Sequence, residues 1–332
     1  MRNILKSILG ALCVGVLLFA ACSKKPAEGY LGVKFFYLSN PFVSAKGRLT
    51  TSAPLQVDNS TLPITVNLLA IRGSSVAGKP TDKLQQQYDI PVFLGEVFPT
   101  DTTLAMVQAK LGTAKYKPFN VNANGGRLEL TPATTFVDTG TYDFDIEVKN
   151  MKGSKQLKSI AKIQITPAVP SQVVRQFAST SPVGNETTQT TQGTFSVNVV
   201  RVDGPNKIVI RWVDKNGATF NPKAGQVVPR LGIPPTNVVP NQRYEFKTFD
   251  PYYPEEKTDT ALVYQYPAGV PTFPLFTLNN GYICSYRIPA ASNDLNVNIN
   301  PEFSVRLFPI DGVATVTGTW IITNVVPFAA KK

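Results

Sequence analysis

Histidine is absent from all 332 residues. That absence removes the Ser-His-Asp and Cys-His arrangements together with the commonest metal ligand, and zinc sites lose a usual donor. Cysteine is nearly as scarce, with only Cys13, Cys22 and Cys284. Cys284 lies between Ile283 and Ser285 in an apolar, strand-like run and reads as a small buried hydrophobe. Without histidine a catalytic thiol also lacks its usual base. No glycine-rich loop carries a phosphate-cradling lysine, and the βαβ alternation of nucleotide-binding folds is missing. Basic residues outnumber acidic ones, 33 to 22, for a formal net charge of +11. No basic block exceeds Lys24-Lys25 or Lys331-Lys332, so nucleic acid is not an expected partner, and the surplus reads as a solvated surface that favours anionic ones. No motif calls for a cofactor or a metal. A pair of carboxylates for glycoside hydrolysis is left open by composition alone, and the chain is read as non-enzymatic.

What is present begins with a leader. Arg2 and Lys6 form a short basic head, followed by a mostly apolar run from Ile8 to Ala21. That run is shorter than the roughly 20 residues a bilayer span needs, so it reads as an export signal. Its end, Phe19-Ala20-Ala21-Cys22, resembles the lipobox of bacterial lipoproteins, with Phe19 where that pattern more often has Leu. The resemblance implies acylation of the Cys22 thiol, with Cys22 as the new N-terminus. Residues 1–21 are then the signal peptide, and 22–30 the lipidated cysteine and a short polar tether with Lys24, Lys25 and Pro26. Ser23 lacks the negative charge that the family rule for inner-membrane retention requires, which implies the outer membrane. Which face of that membrane carries the protein stays open.

From Leu31 onward the chain alternates short β-like runs with Gly, Pro, Asn and Asp turns. In Tyr142-Asp143-Phe144-Asp145-Ile146-Glu147-Val148-Lys149 apolar and charged residues alternate without a break, and period two predicts one buried and one wet face. Similar alternation marks Leu128–Leu130, Ile208–Trp212, Leu295–Asn300 and Phe303–Leu307. Asn124-Gly125-Gly126, Asp203-Gly204, Asn216-Gly217, Asn279-Asn280-Gly281 and Asp311-Gly312 supply turn chemistry. One helix is predicted over Thr102–Leu111, capped by Thr102 or Thr103 with Gly112 past its end, and Leu84–Tyr88 has room for a single turn. Ser179–Gly193 reads as an exposed loop. A hydrophobic content of 43% against 17% charged residues is that of a globular chain. The expectation is an all-β protein of two immunoglobulin-like β-sandwich domains, 31–168 and 169–332, divided near Pro167–Pro170. Each half closes on a similar phrase, Thr139-Gly140-Thr141-Tyr142 and Thr317-Gly318-Thr319-Trp320. Tyr142 is a candidate tyrosine corner whose hydroxyl bonds backbone, and Trp212 and Trp320 are expected in the core.

The richest functional stretch is Phe249–Phe276, where Phe249, Tyr252, Tyr253, Tyr264, Tyr266, Phe273 and Phe276 alternate with five prolines. Proline fixes the backbone, and a fixed ring offers a flat apolar surface at small entropic cost. Sugar rings have apolar faces that stack on such rings while polar neighbours, Asp250, Glu255, Glu256 and Gln265, bond hydroxyls. Tyr252, Tyr253, Phe249 and Gln265 are the candidate ligand-binding residues; the competing reading puts these aromatics in the core. Asp143, Asp145 and Glu147 share one strand face and read as a solvated surface rather than a calcium or catalytic site.

The lipobox, the lysine-containing tether, the opening Gly29-Tyr30-Leu31-Gly32 and the two β domains together resemble outer-membrane lipoproteins often found beside starch-utilisation-type importers. That resemblance implies a polysaccharide or oligosaccharide ligand taken by aromatic loops, a membrane anchor at Cys22, and an outer-membrane transporter as partner. A rival reading is a structural or assembly subunit that docks on an outer-membrane complex or adhesive fibre through sheet edges.

Overall fold

The computed structural model describes residues 29–73, 82–97, 101, 103–230, 255–273 and 283–332. Cys22, Phe249, Tyr252, Tyr253, Phe276 and the Asn279–Gly281 turn lie outside the described residues. Within them the chain is all-β, as the alternation predicts.

The first half supplies β1 (Phe42–Ala45), β2 (Thr50–Thr51), β3 (Thr65–Gly73), β4 (Tyr88–Phe93), β5 (Leu111–Tyr116), β6 (Phe119–Val121), β7 (Leu128–Leu130), β8 (Gly140–Asn150) and β9 (Gly153–Thr166). Its main sheet has the order β1-β9-β8-β3, beside a small β2-β7-β6 sheet and a β4-β5 hairpin. On β8 the period-two reading holds: Tyr142, Phe144, Ile146 and Val148 are buried while Asp143, Asp145 and Glu147 are partly exposed. Asp145 sits where both neighbours slip register: it pairs with Ala70 just past a shift on β3 and falls inside the shift between Phe144 and Ile146 against β9. Its carboxylate takes the Ser159 N–H at 2.7 Å and the Arg72 guanidinium, with Nη1 at 2.7 Å. The backbone excursion at Ser159, whose φ is +46, is thus fastened by a side chain. Arg72 above all, with the Ser159 amide, holds the Asp145 carboxyl below the usual carboxylate range. The tyrosine corner is present, since Tyr142 Oη donates to the Asp138 carbonyl at 2.6 Å.

The predicted helix is α1 (Leu104–Gln108), and Thr103 caps it by accepting from the Met106 N–H at 3.2 Å. The turn predicted near Leu84 is a 3₁₀ turn over Asp82–Leu84.

The second half supplies β10 (Ser171–Ser181), β11 (Thr190–Gln192), β12 (Ser196–Val202), β13 (Lys207–Val213), β14 (Val228–Pro229), β15 (Glu256–Lys257), β16 (Leu262–Gln265), β17 (Cys284–Arg287), β18 (Asn298–Leu307) and β19 (Thr319–Val325). These form two five-stranded sheets, ordered β11-β10-β18-β17-β14 and β12-β19-β13-β16-β15. Trp212, Trp320, Tyr264, Tyr286, Phe273 and Phe303 are buried among them, and so is Cys284, which forms no disulfide. In the second closing phrase the hydroxyl comes from another strand's end: Tyr266 Oη donates to the Gly318 carbonyl at 2.6 Å while Trp320 fills the core. Burial chiefly pushes the Tyr266 hydroxyl up to about 12. Gly318 has φ +88, and a Cβ there would sit 2.7 Å from the Val202 carbonyl, so the turn requires glycine.

Two expectations are corrected here. Leu295–Asn300 and Phe303–Leu307 are not separate strands: β18 runs unbroken from Asn298 through Pro301, and Leu295–Val297 precede it with Asn296 at φ +56. Its second face is not wet, because Asn298, Asn300, Glu302 and Ser304 are all buried. Ser179–Gly193 is likewise not simply a loop, for Ser179–Ser181 end β10 and Thr190–Gln192 form β11.

The buried apolar side chains gather into two clusters, one drawn from residues 35–165 and one mostly from residues 178–329. Val107 of α1 belongs to the second, and Phe93, Val97 and Leu104 pack against it. The halves also meet where Thr135 Oγ1 donates to the Ile310 and Val313 carbonyls and the Gly312 N–H returns to Thr135.

Candidate functional site

Of the four sequence-predicted ligand residues, Gln265 lies within the described residues. It ends β16, exposed, opposite Lys207. Tyr264, Tyr266 and Phe273 from the same aromatic stretch are core residues, so their rings are closed to a ligand. Tyr264, with Tyr286, nevertheless holds the flanks of segment 231–254, whose sequence carries Phe249, Tyr252 and Tyr253. At one end, the Arg230 N–H bonds the Ser285 carbonyl at 3.1 Å, next to the pairing of Pro229 with Tyr286. At the other, Glu255 accepts from Tyr264 Oη at 2.9 Å. Tyr264 and Tyr286 hydroxyls lie 3.5 Å apart. Both ends therefore leave from one place. Burial holds the Tyr286 hydroxyl well above its ordinary value, reinforced by Tyr264.

The same region carries a polar constellation that sequence reasoning missed. On the outer face of the β10-β18-β17 sheet, register puts Ser181 opposite Asn298, Ser179 opposite Asn300, and Ser285 opposite Glu302. Glu302 is buried and receives two guanidiniums, Arg175 at 2.8 Å and Arg230 at 3.4 Å. Glu186, from the turn between β10 and β11, binds Arg287 and accepts from Asn298 at 2.9 Å and Ser181 at 3.2 Å. Asn300 closes the lattice by donating to Ser181 at 3.0 Å and accepting from Arg287 at 3.3 Å. Such charges bury only when paired and hydrogen-bonded. Chemically, the arrangement holds guanidinium, carboxylate and amide planes rigid beside the root of the aromatic segment. The signal for it was present in Asn298, Asn300, Glu302 and Ser304, but alternation reports which face a residue takes and not whether that face is covered.

Among the described residues no group of three or more His, Cys, Asp or Glu side chains is placed to hold a metal ion. Likewise among them, no helix is long and apolar enough to cross a membrane.

Neither a protein-family model nor a curated protein sequence matches the chain. Among solved structures, surface layer protein SbsC, domains 4–9, aligns at 13% identity over 90% of this chain and 32% of that one, with a TM-score of 0.21. A SusE-like surface located polysaccharide binding protein from the Bacteroides thetaiotaomicron heparin utilisation locus aligns at 7% identity over 89% of this chain and 54% of that one, with a TM-score of 0.22. The chain spans about a third and about half the length of these two proteins. Such scores lie below those of a shared fold, and neither structure lends this chain its function.

Proposed function

We propose that this is a non-catalytic glycan-binding protein, tethered to the outer membrane through an acylated Cys22 and working beside a nutrient importer. The observation that carries the reading is the common root of segment 231–254: Arg230 and Glu255 are fastened through Tyr286 and Tyr264. The sequence of that segment supplies Phe249, Tyr252 and Tyr253 as rings on which a sugar can stack. The leader, its lipobox-like end and the absence of histidine agree with an anchored, non-enzymatic role. Replacing Tyr252 and Tyr253 together with alanine is expected to abolish retention on a polysaccharide affinity gel that retains the wild type. Unchanged retention removes them from the site, and failure of the wild type to bind any member of a broad glycan array removes the ligand class.

One observation favours an assembly role. β12 is the terminal strand of its sheet and exposes Val200 and Val202, an edge suited to strand addition. A stoichiometric protein recovered with the chain from detergent-solubilised membranes, and lost on Val200→Lys, supports it.

A further inference from the structure

Where the two halves meet, Arg48 and Arg306 approach the same side of the chain around Phe308, and neither has an ion pair with an acid among the described residues. Arg48 comes from the turn joining β1 and β2. Its guanidinium stacks 4.1 Å from the Phe308 ring centroid and donates to the Val169 carbonyl at 3.2 Å. Arg306 lies two residues before Phe308 on the extended chain, hence on the same side, opposite Gln172 of β10. Both Nε atoms are buried without a hydrogen-bond partner. The acids nearest in the chain are engaged elsewhere: Glu302 by Arg175 and Arg230, and Asp311 by Lys46 at 3.5 Å. Burial and then the Arg306 charge lower the affinity of Arg48 for its proton, the signature of like charges in partial shelter.

Two guanidiniums on one side that share no carboxylate suit planar or tetrahedral oxyanions, since each offers a fork of N–H donors. We propose that Arg48 and Arg306 form an oxyanion site that takes a sulfate or carboxylate group carried on an acidic polysaccharide. The glycan reading is needed for the carrier, whereas the site stands on the arginine pair. Gln172, exposed across from Arg306, is placed to bond a neighbouring hydroxyl.

The test compares wild type with Arg306→Gln, and with Arg48→Gln as a second variant should the first fail to fold. Retention is measured on dextran sulfate and plain dextran, and melting temperature in sodium sulfate and in sodium chloride of matched ionic strength. The expected result is wild-type retention on dextran sulfate that falls about tenfold or more in either variant, as loss of a charge-assisted pair requires. Sulfate should also raise the wild-type melting temperature by more than it raises the variant's, a difference that cancels the general stabilisation by that salt. In chloride Arg306→Gln should melt no lower than wild type, because a repulsion has been removed, whereas Arg48→Gln also gives up its contacts with Phe308 and the Val169 carbonyl. Equal retention, or equal response to sulfate, in wild type and variant overturns the site. An Arg306-dependent response to inorganic sulfate without retention on dextran sulfate overturns the polysaccharide as carrier. Loss of neutral-glycan binding on Tyr252→Ala/Tyr253→Ala, with dextran sulfate retention intact, separates this site from the aromatic one and supports it.

Discussion

β8 and β18 are inner strands of the two halves, and both alternate apolar with polar residues. On β8 the polar set, Asp143, Asp145 and Glu147, keeps contact with water. On β18 the polar set, Asn298, Asn300, Glu302 and Ser304, is buried and knitted to guanidiniums and amides. The same period thus yields a solvated surface in one half and a rigid polar lattice in the other. Period decides which way side chains point; what lies above them decides what they do.

The largest effect that would sharpen this contrast is expected at Glu302. Glu302→Gln takes a buried carboxylate from between two guanidiniums, Arg175 and Arg230, and should lower stability by about 3–5 kcal/mol in urea melts. Asp145→Ala should cost about 2 kcal/mol, because a carboxylate that holds a guanidinium and a bulge amide is lost. That contribution depends on pH. Since the native carboxyl is held below its ordinary value, its stabilisation is complete above about pH 4 and disappears as pH falls through the native value. The gap between wild type and Asp145→Asn should therefore close on acidification. Tyr142→Phe and Tyr266→Phe should each cost about 1 kcal/mol by losing one hydroxyl-to-carbonyl bond, with no change in the denaturant slope. Glu147→Gln, on the wet face, should change stability by less than about 0.5 kcal/mol. If Glu302→Gln proves as mild as Glu147→Gln, the contrast between the two strands collapses.

Much of the fold could be read in the sequence because its signals are local. Thr103 caps helix α1, Asn216-Gly217 turns β13 into its return, and Tyr142 bonds the backbone four residues upstream. What escaped was non-local. Leu295–Asn300 and Phe303–Leu307 read as two separate alternating runs, yet β18 passes through Pro301 between β10 and β17. Glu186 lies in a Thr- and Gln-rich stretch that reads as loop, and only the folded sheet brings it to Arg287 and Asn298. Of the candidate site, Gln265 falls on an exposed strand face, whereas the other three residues lie outside the described region. The pairing of Arg48 with Arg306 joins positions far apart in the chain, beyond the reach of any spacing rule.

The hairpin that carries α1 places Val107, with Phe93, Val97 and Leu104, on the apolar cluster of the opposite half. Sever the polypeptide after residue 168 and each fragment would display a greasy scar where the other had been seated. Heating the intact molecule should accordingly give one calorimetric endotherm rather than a pair, with each half's survival underwritten by its companion.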